Sequence, residues 1–274
     1  SAISLRNYYF DPAYSRTRGY RAIAAHIAAE AGPNDLFLAH FPDPSLDYYL
    51  RDVPLPRTMQ PAKSGVTAVE TEAALAQLAE SYDRIWFVPS HNSVWDPEDV
   101  VPHWLEFHTL HEQRLRFDHL ELLAYRPLSQ IDVVTTPANT ALENGVTLHS
   151  FFVTVNGRPV DTSQPVTLPP EATIEVTLIW KAPQPIAQDY TVFVHFLAAD
   201  GRLIAQHDGV PAAGTRPTTT WPAGDIVLDW HELGSGEGGN GRVVVGMYDN
   251  QTQTRQLFAN GQDIYPIMQT IPVQ

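Results

Sequence analysis

Two short segments concentrate side chains that could do chemistry. His40-Phe41-Pro42-Asp43-Pro44 closes one apolar run, and residues 89–96 (PSHNSVWD) close another with His91, Asn92, Trp95 and Asp96. Imidazole, carboxylate, carboxamide and indole together suit a saccharide, because an aromatic face stacks on a pyranose ring while carboxylate and amide groups take its hydroxyls. Tyr48 and Tyr49 follow close behind Asp43. A glycoside hydrolase would have to draw its acid and base from Asp43, Asp47 and Asp96, and those two groups must stand about 5 to 10 Å apart across one sugar bond. The plainer alternative makes Asp96 a helix cap and both histidines solvated loop residues.

Other motifs ask for less. Gly234-Ser-Gly236-Glu-Gly-Gly239 matches the spelling of the dinucleotide pattern G-x-G-x-x-G. That pattern works only where a strand precedes it and a helix follows, so that amides and a helix terminus meet the pyrophosphate. Here it lies between two β-type runs and reads as a hairpin loop. His103, His108, His111 and His119 follow no metal-ligand spacing, although His108 and His111 would share a face if both were helical. Asn250-Gln-Thr252 spells a glycosylation sequon. Nothing calls for a cofactor or a metal. In residues 207–225 (HDGVPAAGTRPTTTWPAGD), Pro211, Gly214 and Pro217 describe an extended crossover between strands. Trp221 within it either covers an edge of the fold or offers a ring to a sugar. The candidate ligand-binding set is therefore His40, Asp43, Tyr48, His91, Asn92, Trp95 and Trp221.

The elements that must position these residues follow two grammars. In residues 14–32, Tyr20, Ile23, Ala24, Ile27, Ala28 and Ala31 mark one helical face that ends at Gly32-Pro33. Leu36 to His40 reads as a buried strand. Thr67-x-x-Glu70 is a capping box that opens a second helix, and residues 84–91 (RIWFVPSH) are a second buried strand. Asp96-Pro97 pairs a cap with proline at the first helical position, and residues 119–127 (HLELLAYRP) close the region as a third strand. Apolar strands separated by helices imply a parallel sheet with right-handed crossovers. The expectation for residues 1–127 is thus a small, three-layer, parallel-sheet α/β domain of Rossmann-like type. In such sheets ligands bind at the carboxyl ends of strands, where both reactive segments fall.

After Pro127 helical periodicity stops and short alternating runs recur. In TIEVTLIW one face carries Ile174, Val176, Leu178 and Trp180; in YTVFVHF one face carries Val192, Val194 and Phe196, with His195 opposite. Asp200-Gly201 is a tight turn between two runs. Residues 128–274 are expected to form a β-sandwich, jelly-roll-like in type.

Composition bounds the partners. The 274 residues carry a formal net charge of −14, which argues against nucleic acid or an anionic membrane surface as the main partner. The charge divides between the halves: 11 basic against 17 acidic residues give −6 up to Pro127, and 6 against 14 give −8 beyond it. There is no cysteine, so disulfides and thiolate chemistry are out. No apolar run approaches the roughly 20 residues of a membrane span. The chain opens Ser1-Ala2-Ile3 with neither methionine nor signal-peptide features, which reads as a processed or excised piece of something longer.

Residues 189–233 (DYTVFVHFLAADGRLIAQHDGVPAAGTRPTTTWPAGDIVLDWHEL), with residues 241–257 (GRVVVGMYDNQTQTRQL), resemble the extracytoplasmic C-terminal region of large bacterial membrane glycosyltransferases. The family meant is that of the dolichyl-phosphate-mannose protein mannosyltransferases and lipid A aminoarabinose transferases. Residues 7–38 are similar to the segment that follows the last membrane helix in such proteins. The likeness covers nearly the whole chain, and its motifs are structural. It implies an extracytoplasmic location, a covalent partner in the membrane-embedded catalytic half, and a polyprenyl-phosphate sugar donor. The family's catalytic acids lie in that other half, so no catalytic role passes to any residue here. The implied task is to hold or orient a glycan or glycoprotein acceptor. A free-standing carbohydrate hydrolase and a pure scaffold are the alternatives. The Gly234–Gly241 loop departs from the family, which tends to carry prolines there.

Overall fold

The protein is described by a computed structural model covering residues 18–89, 94–224 and 226–273. The chain divides into two compact units, Ser1–Gln130 and Ile131–Gln274.

The first unit runs α1 (Arg18–Glu30), β1 (Asp35–Ala39), α2 (Pro44–Leu50), β2 (Arg57–Met59), α3 (Ala68–Ser81), β3 (Arg84–Phe87), α4 (Val100–His108), β4 (Thr109–Phe117) and β5 (Leu120–Pro127). Its sheet has the order β2-β1-β3-β5-β4. Helices cover both faces. Ile23 and Ile27 of α1 and Leu46 and Leu50 of α2 pack on Phe37, Trp86 and Leu122. Leu75 of α3 and Val101 and Leu105 of α4 pack on Leu38, Ile85, Phe87 and Leu123. The capping box is present at α3: the Thr67 side chain accepts the Glu70 amide, and the Glu70 carboxylate accepts the Thr67 amide.

The expected parallel, Rossmann-like sheet is not what forms. Only β1 pairs in parallel, with β2 and with β3; β5 runs antiparallel to β3 and to β4. The cause is local. Phe117 pairs with Leu120 across the two-residue turn Asp118-His119, with Asp118 in the left-handed region at φ 58°. A loop that short can only return the chain antiparallel. Strand β4 had been hidden within the expected helix that follows Asp96-Pro97, so His108 ends α4 while His111 lies in a strand and the two do not share a helical face. Across the described residues 41% lie in strands and 21% in helices, a mainly β protein without the repeated helix–strand alternation of a doubly wound fold.

The second unit is a β-sandwich. After a short helix α5 (Ile131–Val134) come β6 (Thr136–Ala141), β7 (Thr147–Val155), β8 (Arg158–Pro159), β9 (Val166–Leu168), β10 (Thr173–Lys181), β11 (Tyr190–Ala198), β12 (Leu203–Gly209), β13 (Ile226–Gly234), β14 (Gly241–Asp249) and β15 (Tyr265–Pro272). One sheet orders β13-β10-β7-β6 with β8 on β7; the other orders β12-β11-β14-β15-β9. Inward side chains of both sheets meet in one core, with Val176, Leu178, Trp180, Val192, Val194, Phe196, Val243 and Val245 at its centre. The jelly-roll expectation also fails: ten strands in two five-stranded sheets, with β9 parallel to β15, differ from an eight-stranded double Greek key.

Residues 234–241 do not close a hairpin, because β13 and β14 belong to different sheets. This connection is anchored by Ser235, fully buried, whose hydroxyl donates to the Pro169 carbonyl at 2.9 Å and accepts the Ala172 amide at 2.7 Å.

Candidate functional site

The parallel pairing of β1 with β3 makes their carboxyl ends neighbours. The chain leaving β1 turns to α2 on one face of the sheet, and the chain leaving β3 leads to α4 on the other. Strand ends where the chain diverges in this way are the usual ligand position in open sheets. Of the two segments singled out in the sequence, His40 to Pro44 and Trp95 and Asp96 can be placed.

His40 is completely buried. Its ring lies 5.1 Å from that of Phe41 and 5.0 Å from that of Phe87, and its Nδ1 stands 3.9 Å from Asp96 Oδ2. Asp96 is buried as well. Its carboxylate accepts the amides of Val100 at 2.9 Å and Val101 at 3.0 Å. Helix α4 therefore begins three residues later than the sequence implies: Asp99, in the left-handed region at φ 51°, occupies the cap position without a side-chain bond, and Asp96 reaches forward to satisfy the open amides. A carboxylate turned into the core and held by two amides presents no open face to a substrate.

Asp43 caps α2, its Oδ1 accepting the amides of Ser45 at 2.8 Å and Leu46 at 3.3 Å. Burial and the nearby Asp43 carboxylate push the Tyr20 hydroxyl above its ordinary pKa. Tyr20 stacks on Tyr49 with ring centroids 6.4 Å apart, and Tyr48 meets Tyr49 edge-on at 5.1 Å. Tyr48 is the most exposed large aromatic among the described residues, at 56%, with the Arg51 guanidinium 4.1 Å above its ring. Trp95 is half-buried. His91 and Asn92 lie outside the described residues.

Beside Asp43 the surface opens into a cleft of about 310 Å³, floored by Phe37, Phe41, Leu46 and Met59 and rimmed by Asp43, Asp47, Arg57 and Thr58. Arg57 Nη1 lies 3.8 Å from Asp47 Oδ1 and donates to the Asp47 carbonyl at 3.3 Å. The Asp47 side chain is 77% exposed, so this pair is worth little in stability and leaves its polar atoms open to a ligand. The cleft is at the small end of ligand sites, which run from about 300 to 1,000 Å³. An apolar floor under a rim of carboxylates, a guanidinium and a hydroxyl fits a sugar ring. Arg57, Thr58 and Met59 were missed in the sequence because β2 is three residues long and shows no alternation.

Trp221 is enclosed by the fold and is not offered to a sugar. It is 2% exposed and packs within the sandwich core, its Nε1 donating to the Arg216 carbonyl at 2.8 Å. A ring so enclosed offers no face to a sugar. His195 does lie on the outer face of its strand, 3.1 Å from Asp208. Asn250 follows β14 in an exposed turn.

One cluster in the second unit lies outside the residues expected from the sequence. Val227, Asp229, His231 and Leu233 of β13 all point inward, and the strand period of 2 would have disclosed that a carboxylate and an imidazole share the core face. Asp229 accepts the Ala212 amide at 2.9 Å, the Trp180 indole at 3.3 Å and His231 Nε2 at 3.0 Å. It ties residues 210–214, which join the two sheets, to the sandwich interior. Among the described residues no three side chains converge as metal ligands.

No protein-family profile matches the chain, and no curated protein does. Solved structures give loose alignments. The C-terminal domain of Wzt aligns with a TM-score of 0.36 at 11% identity, over 49% of this chain and 78% of that one. Bacteroides uniformis beta-glucuronidase 2 gives 0.28 at 13%, over 53% of this chain and 19% of that one. A glycosyl hydrolase family 2 member from Bacteroides cellulosilyticus DSM 14838 gives 0.29 at 11%, over 56% and 21%. The chain spans about a fifth of the length of these two hydrolases. Likeness at this level carries no functional argument.

Proposed function

We propose that this chain is the extracytoplasmic portion of a polytopic bacterial membrane glycosyltransferase using lipid-linked sugar donors, and that its own task is to hold a glycan or glycoprotein acceptor rather than to break a bond. The observation that carries the holding role is the cleft beside β1 and β2, with its apolar floor and its rim of Asp43, Asp47, Arg57 and Thr58; the exposed Tyr48 follows Asp47 in α2. Planar carboxylates and a guanidinium match vicinal hydroxyls, and an aromatic face takes the apolar side of the ring. The membrane context is supported by the resemblance over residues 7–38, 189–233 and 241–257.

A hydrolase would need two free carboxyls facing one sugar bond. Asp96 is sealed in the core on two amides, and Asp43 spends one oxygen on the cap of α2. The geometry therefore favours retention of a sugar over its cleavage. The test is to titrate the 274-residue chain with cell-envelope saccharides by calorimetry, and to delete it from the full transferase. Binding, together with loss of acceptor use on deletion, is expected. No binding to any saccharide, with transfer undiminished after deletion, would overturn the reading.

A further inference from the structure

The two sheets of the sandwich end, on one side, in the edge strands β12 and β13. His207 lies opposite Val194 and His231 opposite Val176. Both valines belong to the core, and directly opposed residues share a face, so the two imidazoles point inward toward the same edge. Their ring centroids are 4.9 Å apart at 73°. His207 is exposed and His231 is 3% exposed.

The pair is wired to the joining segment through one carboxylate. Asp229, 1% exposed, receives His231 Nε2 and the Ala212 amide on its two oxygens. Ala212 and Ala213 are both held in the left-handed region, at φ 54° and 50°, where a side-chain-bearing residue is strained. Asp229 captures the turn's Ala212 amide, beside the turn's own bonds from the Gly214 amide to the Val210 carbonyl and from the Thr215 hydroxyl to the Ala212 carbonyl. The Nδ1 of His231 is buried without a hydrogen-bond partner among the described residues. The edge thus combines a strained turn, a buried carboxylate that ties it to the core, and an imidazole with an open valence beside a second imidazole.

We propose that the His207–His231 pair is an acid-triggered latch, which in mildly acidic solution releases residues 210–214 from Asp229 and opens the β12–β13 edge. A proton taken up by His207 places a positive charge against the His231 ring, 4.9 Å away at the edge that Asp229 ties down. The charged or titratable groups whose fields reach His207 are His231, Asp229, Asp208 and Glu232. Burial and His231 depress the affinity of His207 for a proton, and they outweigh the three carboxylates. A histidine whose folded pKa is depressed binds its proton more readily once the edge opens. Protection is therefore full above the ordinary value of about 6.5 and is lost as the pH falls below it, levelling off beneath the depressed folded value.

The test is hydrogen–deuterium exchange of residues 208–218 at pH 7.5 and pH 5.0, corrected for intrinsic rates, in the whole chain and in His207→Gln and His207→Phe. His207 is exposed, so both variants retain the sandwich, and exchange in β7 and β10 reports that they have. In the unaltered chain protection of the Ala212 amide should fall by up to about tenfold per pH unit of depression, and in both variants it should change less than about twofold. Equal losses in all three chains, or no loss in the unaltered one, would overturn the latch.

Discussion

His40 Nδ1 and Asp96 Oδ2 stand 3.9 Å apart with both side chains sealed from solvent. His40 follows β1 and Asp96 precedes α4, 56 positions apart in the sequence, and β1 pairs in parallel with β3, the strand before α4. Their chemistry is directed inward: Asp96 supplies acceptors to the start of α4, and His40 fills space between two phenylalanine rings. The same strand ends that bury this pair open a cleft on the Asp43 side.

Asp96→Ala should therefore be a stability variant rather than a binding variant. It strips two amides of their acceptor and leaves His40 facing a void, a loss of about 2–3 kcal/mol by the magnitudes of lost caps and unpaired buried groups. Urea unfolding of the chain measures it, and a change below 1 kcal/mol would show that the pin is dispensable.

Trp221→Ala should cost the sandwich about 3–5 kcal/mol, as large-to-small core changes do, with no change in saccharide binding by the first unit. Thermal unfolding followed by near-ultraviolet circular dichroism reports it. A surface tryptophan would give a much smaller loss.

Gly246→Ala should destabilise the outer face of the second sheet. A methyl there runs into the Phe193 ring and comes within 2.6 Å of the Asp263 carbonyl, and Arg255 is stacked 4.6 Å over the same ring. Overpacking of this kind costs about 1–3 kcal/mol. Combining it with Phe193→Leu should recover part of the loss, which a double-mutant cycle would resolve.

Tyr48→Ala should weaken saccharide binding by about three- to tenfold, the range for one aromatic contact, while leaving stability within about 0.5 kcal/mol, because the ring is exposed. Calorimetry of the variant beside the unaltered chain separates the two effects.

Legibility in the sequence followed local physics. The capping box at Thr67 and Glu70 needs only four residues and was readable, as were the apolar runs of β1 and β3. Strand β4 was concealed because its inward position 112 carries a glutamate. That residue is tolerated there only because Arg84 and Arg126 reach it, at 3.1 and 2.6 Å, from other strands. With β4 unseen, the turn at Asp118-His119 was unseen too, and the sheet was read as parallel. The alternation that defines the sandwich survived because nearly all its inward positions are apolar. Of the residues singled out in the sequence Asp43 lines the cleft, whereas the burial of His40 and Asp96 was not legible because it depends on what packs over them. Arg57 and Thr58 reached the cleft on a strand held by β1 rather than by its own pattern.

The central claim is that the cleft beside β1 and β2 holds a saccharide. Amide chemical-shift mapping of the isotope-labelled chain, titrated with a panel of cell-envelope oligosaccharides, tests it most directly. The account predicts saturable shifts concentrated at Phe41, Asp43, Asp47, Tyr48, Thr58 and Met59. Shifts confined to the sandwich, or none with any saccharide, would contradict it.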